Sequence, residues 1–183
     1  YGLDPDRIAI GGSSAGGHLA ALMGTSGDAP VLEDLTQGNE EFSSSVQAVV
    51  DFYGPSHLVS MDEDAADNGC PADGLCHSCD GSPEELLLDC PGDLTTCTQE
   101  RLNEASPLAW VDGEEPPFMI VHGQADCTVP TPQSQRLHAA LQGAGVDSGL
   151  VLVPDVGHNL SGVSTPATLM AMQEFLDRNL RGC

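Results

Sequence analysis

The run Gly12-Ser13-Ser14-Ala15-Gly16 fits the spacing G-x-S-x-G in one register, with Ser14 at its centre. Small residues at both ends let the backbone turn sharply, so that a serine hydroxyl stands above a sheet and at a helix N-terminus. Glycine and serine are common, so the pattern alone is weak; its weight comes from the strand before it and the helix after it. A serine oxygen attacks only when a base takes its proton, and the base needs an acid to orient it. Six histidines compete for that role. His158 lies in Pro154-Asp155-Val156-Gly157-His158-Asn159, just past the last apolar strand, and is the expected base. His122 is still within a strand end, where bonding to backbone is expected; His18 and His138 fall on helices, and His57 and His77 in or near a polar segment. Asp126, in His122-Gly123-Gln124-Ala125-Asp126, is the expected acid, and Asp155 the alternative. Ser14, Asp126 and His158 thus each follow a different strand, along the edge where open parallel sheets carry their sites.

Four short apolar runs supply those strands: Arg7 to Gly11, Val46 to Tyr53, Pro117 to Val121 and Gly149 to Val153. They are continuous rather than alternating, and helical patterns separate them, which implies a parallel sheet covered on both faces. Gly16 to Met23 reads as a helix packed through Leu19, Ala20, Leu22 and Met23. Thr131 as N-cap, Pro132 at the first position and Gly143 at the stop bound another. The last runs from Thr165-Pro166 to about Leu180, with Leu169, Met172, Leu176 and Leu180 at helical spacing. No internal repeat is visible.

Residues 62 to 100 break this rhythm. They hold five cysteines (Cys70, Cys76, Cys79, Cys90 and Cys97) and eleven acidic residues, with no Lys or Arg, and only Glu84 to Leu88 reads as helical. Three chemistries compete for them. Disulfides would staple a segment too polar to fold on its own core. Zinc could take Cys76-His77-Ser78-Cys79 with Cys90 and Cys97, although six residues between the last two is wide for paired ligands. Calcium could take Asp62, Asp64 and Asp67, a spacing that misses the usual 1, 3, 5 loop. Disulfides are the expected answer, and no metal is expected. Five is odd, so one cysteine must look outside; Cys127, directly after Asp126, is the expected partner, with Cys183 left over. Which cysteine meets Cys127 stays open among 15 pairings.

The chain of 183 residues carries 28 acidic residues against five Arg and no Lys, a formal charge of −23. Nucleic acid and anionic lipid would be repelled, so neither partner is expected. No apolar stretch approaches the roughly 18 residues of a membrane span. Clustered cysteines point to an extracellular or periplasmic protein. The opening Tyr1-Gly2-Leu3-Asp4-Pro5-Asp6-Arg7 has neither Met nor leader and reads as a cut inside a longer chain.

The segments YGLDPDRIAIGGSSAGGHLAAL, PFMIVHGQADCTVPTPQSQRLHAAL and VPDVGHNL resemble the α/β-hydrolase superfamily, in its acetyl-esterase, lipase and feruloyl-esterase-like branch. The resemblance covers nearly everything outside residues 62 to 100. It implies an α/β fold: the C-terminal half of an α/β-hydrolase parallel sheet with flanking helices, residues 1–61 and 101–183, and an acidic Cys-rich cap at 62–100. It implies Ser14 as nucleophile, Asp126 as acid and His158 as base, with the Ala15 N–H as one oxyanion donor. Further donors would come from an upstream His-Gly-Gly loop that this chain does not contain, and the strand at Arg7 to Gly11 would become a sheet edge with Ile8 and Ile10 uncovered. The expected activity is cofactor-free hydrolysis of a small or polysaccharide-linked ester. The competing readings are a peptidase of the same fold and a hydrolase-like binding domain without catalysis.

Overall fold

The computed structural model describes residues 2–27, 29–34, 36, 38, 41–90 and 92–181. Its sheet has four parallel strands, β1 (Ala9–Ser13), β2 (Ala48–Phe52), β3 (Phe118–Gly123) and β4 (Ser148–Val153), ordered β1-β2-β3-β4. β2 and β3 are buried almost throughout, which is why their sequences read as unbroken apolar runs. β1 lies at the edge, as expected, and Ile8 just before it is 44% exposed. Cys183 lies outside the described residues.

Helices cover both faces. α1 (Ala15–Thr25) and α5 (Pro132–Ala144) pack on one side around Val49, Phe118, Ile120, Leu137 and Leu141. α6 (Leu160–Val163) and α7 (Pro166–Leu176) cover the other, around Val50, Met119, Val121, Val163 and Phe175. No helix among the described residues is long and apolar enough to cross a membrane.

The packing of α1 differs from the reading of its sequence. Leu19 is 59% exposed, and Met23 is exposed too; the buried face is Gly17, Ala20, Ala21 and Gly24. These four recur at helical spacing, and they bring the helix axis close to the sheet. A Cβ on Gly17 would strike the Asp51 carboxylate and one on Gly24 the Val49 and Phe118 side chains. The smallest residues therefore face inward here, and size outranks hydropathy. α5 runs to Ala144 and ends on Gly145 in the left-handed conformation, two residues beyond the expected stop. In α7 Leu169 is exposed, while Met172 and Leu176, with Leu180 beyond the helix, pack toward the sheet beside Phe175.

Residues 62–100 hold more structure than their composition suggests. Helix α2 (Met61–Asp67) precedes α3 (Pro83–Leu88), and α4 (Gln99–Glu104) follows. Each contributes little apolar surface, yet Leu88, Leu94 and Leu102 meet Leu58 and Cys90 in a small core. Cys76–Cys79 and Cys90–Cys97 are disulfides within the segment, so those four sulfurs are spent and the zinc reading falls. The calcium reading falls as well. Asp62 accepts the backbone N–H groups of His77 and Ser78 at 2.8 and 3.0 Å. Asp64 is buried and holds α2 to α5, accepting from Gln133 and Arg136 at 2.6 Å each. Among the described residues no group of three His, Cys, Asp or Glu is arranged to hold a metal ion.

Asp51 places a carboxyl group inside the sheet. It is fully buried in β2; one carboxyl oxygen accepts the Gly54 N–H at 2.8 Å, and the other has no hydrogen-bond partner among the described residues. Burial pushes its carboxyl up to about 6. A carboxyl raised in the folded state stabilises the fold while protonated, and that contribution is lost as pH rises from 4 through 6. A shift of about two units corresponds to about 3 kcal/mol. In the full-length protein, Asp51→Asn should therefore gain stability relative to the parent by up to that amount between pH 4 and pH 7.5. Urea unfolding at the two pH values measures it; a difference independent of pH would show that Asp51 titrates normally.

Candidate active site

The turn between β1 and α1 sets Ser14 at φ 56° and ψ −124°, outside the regions open to most L-residues. Its surroundings hold it there. The Ser14 N–H donates to the Phe52 carbonyl at 2.9 Å, and the Ser14 carbonyl accepts the first helical bond, from His18 N–H at 3.0 Å. Gly12 is required because a Cβ there would overlap the Gly16 backbone; a Cβ on Gly16 would meet nothing. Of the two framing glycines, only Gly12 is a steric demand; a side chain on Gly16 would stand in open space. Ser14 is the N-cap of α1 but makes no side-chain cap, which leaves its hydroxyl free to turn elsewhere.

That hydroxyl meets His158. Ser14 Oγ lies 2.8 Å from His158 Nε2, and His158 Nδ1 lies 2.8 Å from Asp126 Oδ2. A carboxylate only accepts, so Nδ1 carries the proton and Nε2 offers its lone pair to the serine O–H. Asp155, the alternative acid, is exposed and lies in a left-handed turn after β4. Asp126 is buried completely, and its Oδ1 accepts the N–H groups of Thr128 and Val129 at 2.8 and 3.0 Å. Burial pushes the Asp126 carboxyl up, but donors on His122 and His158 and these two amides outweigh it and hold it below the usual carboxylate range. It therefore stays ionised where an imidazolium beside it needs a counter-charge.

The loops carrying Asp126 and His158 are stitched together. Ala125 N–H donates to Val156 carbonyl at 2.9 Å and Gln124 N–H to Val153 carbonyl at 2.9 Å. Gly123 must lack a side chain, since a Cβ would run into the carbonyls of Val156 and Gly157. Thr131 does not cap α5 as its sequence suggests; its hydroxyl donates to the Gly123 carbonyl at 2.9 Å and steadies the acid loop instead. His122 does bond backbone, with Nε2 2.8 Å from the Val129 carbonyl, and the same nitrogen is 3.3 Å from Asp126 Oδ2.

The other histidines stay away from Ser14 Oγ. His18 pairs with the Pro55 carbonyl, His57 with Ser60, His77 with Glu84 and His138 with Ser148. Tyr53 is a site residue that the sequence did not reveal. Its ring stands edge-on to His158, with centroids 4.6 Å apart, and fixes the imidazole from the side. The sequence shows only its place at the strand end before Gly54-Pro55; its φ of 47°, rare for an aromatic residue, emerges with the structure. Ala15 is the first residue of α1, so its N–H has no acceptor within the helix and is open to an anion. A cavity of about 230 Å³ opens beside Ser14 and Ala15, walled by Leu58, Leu75, Leu87 and Val129. A larger one, about 490 Å³ beside Trp110 and Pro117, lies at the amino ends of the strands and reaches none of these groups.

Residues 62–100 are tied to the acid loop at two points. Cys70 and Cys127 form a disulfide across 57 residues, so Cys70 is the partner that the sequence left open. Asn68 Nδ2 donates to the Asp126 carbonyl at 2.8 Å.

The family model described as BD-FAE matches residues 1–141. The esterase LipQ of Mycobacterium tuberculosis is 34% identical over 97% of this chain, which spans 38% of LipQ. The esterase LipC of the same organism is 31% identical over 97% of the chain, which spans 41% of LipC. The chain thus covers about two fifths of each relative. Among solved structures, a truncated form of a carbohydrate esterase from gut microbiota superposes with a TM-score of 0.73 at 26% identity. The match covers 98% of this chain and 61% of that one.

Closing a loop of this length with a disulfide is worth about 4 kcal/mol. In the full-length protein the paired substitution Cys70→Ser and Cys127→Ser should lower the unfolding free energy by about 2–4 kcal/mol. Thiol-free unfolding in urea, run beside the parent, measures this. A change under about 0.5 kcal/mol, the usual range of surface substitutions, would mean that the bridge constrains nothing.

Proposed function

The chain belongs to the BD-FAE family of α/β-hydrolases, and from that footing we propose that it carries the reacting groups of a serine carboxylesterase. The observation that supports this most is the pair of 2.8 Å contacts running Ser14 Oγ to His158 Nε2 and His158 Nδ1 to Asp126. In the proposed cycle Ser14 Oγ attacks the ester carbonyl while His158 Nε2 takes its proton. Asp126 keeps the proton on Nδ1 and stabilises the imidazolium that forms. The tetrahedral oxyanion accepts from the Ala15 N–H, at the positive end of α1. The imidazolium then returns its proton to the departing alcohol, leaving an acyl group on Ser14. Water, deprotonated by His158, releases the acid by the same steps in reverse. The chemistry needs no cofactor.

The substrate class in this proposal is a small or polysaccharide-linked ester with a short acyl, acetyl or feruloyl-type group. The esterase names of LipQ and LipC and the carbohydrate esterase among its structural neighbours agree with it. Three disulfides suit a protein working outside the reducing cytoplasm, in the periplasm or beyond.

Single variants of the full-length protein test the relay. Ser14→Ala and His158→Ala should each lower turnover of p-nitrophenyl acetate by about 10⁴-fold or more, and the double variant should be little worse than either. Asp126→Asn should cost about 10⁴-fold, because an amide in that place favours the wrong tautomer of His158. Additive losses, or a His158→Ala enzyme close to the parent, would remove the reading.

A further inference from the structure

His122, the second-last residue of β3, is sealed from solvent, as are Asp126 and Ser134. Both of its ring nitrogens are engaged. Nε2 lies 2.8 Å from the Val129 carbonyl, which only accepts, so Nε2 carries a proton. Nδ1 lies 2.6 Å from Ser134 Oγ, in the first turn of α5. Turning the ring over would set carbon atoms against both partners, so the ring has one orientation. In that orientation Nε2 also stands 3.3 Å from Asp126 Oδ2. Ser134, His122 and Asp126 thus repeat the residue types of the trio around Ser14 and share its aspartate, but their serine is closed off from solvent.

The Asp126 carboxylate is gripped differently at its two oxygens. Oδ1 accepts the N–H groups of Thr128 and Val129, while Oδ2 faces the two imidazoles. Those imidazoles are not equivalent. The His158 side chain is 21% exposed, stands on another loop and gains and loses a proton in the proposed cycle. His122 is buried, bonded at both nitrogens and fixed to the strand that leads into the acid loop. It meets the 126–129 turn at both ends, at the carboxylate and at the Val129 carbonyl. Burial raises the Asp126 carboxyl; among the donors that bring it down again, His122 acts most strongly.

We propose that His122 is a positioning residue for ester hydrolysis: anchored by Ser134, it keeps Asp126 Oδ2 where the N–H of His158 Nδ1 must meet it. The inference rests on the esterase reading above and deepens it. The ring is too deeply buried to touch substrate, so its effect runs through Asp126. Acylation and deacylation both use His158, and both therefore depend on it.

The test measures kcat and KM of the full-length protein on p-nitrophenyl acetate. His122→Phe keeps a ring and removes the donor; kcat and kcat/KM should fall together by about 10- to 100-fold, with KM unchanged. A glutamine amide reaches the place of Nε2, and an asparagine amide only that of Nδ1. His122→Gln should therefore keep most of the parent's kcat, and His122→Asn should lose as much as His122→Phe. In an Asp126→Asn background, which already lacks the carboxylate, His122→Phe should cost nothing further, because residues that act as a unit are not additive. If the ring variants do not fold, Ser134→Ala carries the same comparison. It leaves the ring and removes its anchor, so it should lower kcat in the parent and not in Asp126→Asn. Equal losses in both backgrounds, a loss carried by KM, or glutamine and asparagine variants that behave alike would mark a purely structural ring and overturn the assignment. The parent and Asp126→Asn separate the two levels. If Asp126→Asn is slow while His122→Phe matches the parent, only the positioning role fails. If the parent leaves acetate uncleaved, the esterase reading fails and takes this inference with it.

Discussion

The hydrogen bond from Ser14 N–H to the Phe52 carbonyl is the constraint around which the carboxyl edge of the sheet is arranged. A residue in that backbone conformation costs about 1–3 kcal/mol and persists only where its surroundings leave no alternative. β1 must end beside β2 for the bond to form, and Gly12 must be bare for Gly16 to come over it. α1 can then start at once, and it lies close to the sheet because Gly17, Ala20, Ala21 and Gly24 face inward. The turn that aims the hydroxyl and the packing that fixes the helix are thus one construction. Stability from the layered core is spent locally to keep one oxygen in place.

Asp126 and His158 are held by the opposite device, a surplus of ordinary contacts. Asp126 faces two backbone amides and two imidazoles, and its loop is bonded to the loop of His158 through Ala125 and Val156. His158 is flanked by Tyr53, itself in a left-handed turn directly after β2. Ser14, Asp126 and His158 therefore arrive from β1, β3 and β4, while the turn after β2 supplies the ring that stands against His158. A parallel sheet makes this possible because all its strands end on one side.

Much of this was legible in the residues. The four strands, their order along the chain and the places of Ser14, Asp126 and His158 follow from apolar runs, glycine turns and one short motif, all of which are local. What was hidden depended on proximity in space. α1 was expected to bury its large residues, yet closeness to Asp51 and Val49 selects the small ones. Residues 62–100 read as polar with one short helix at Glu84 to Leu88; the small core that joins Leu88 and Leu94 to Leu58, Cys90 and Leu102 draws on separate stretches of chain, which no periodicity within one segment could reveal. Thr131 has the sequence of a cap and the job of a brace, since the Gly123 carbonyl is nearer to it than its own helix offers. Cys127 could be picked out by parity, but its choice of Cys70 needed the position of α2, which sets Asn68 and Cys70 over the Asp126 loop.

The Cys70–Cys127 bridge also bears on how such a chain can change over generations. It makes the insertion and the acid loop a single inherited unit, although 57 residues separate their ends. A lineage that lost Cys70 alone would be left with a free thiol one residue from Asp126, open to oxidation or to mispairing with another chain. The two cysteines should accordingly appear and disappear together among descendants of this fold. Between them, length can drift where loops are exposed, but the span from α2 back to the acid loop cannot, because Asn68 and Cys70 hold it at both points.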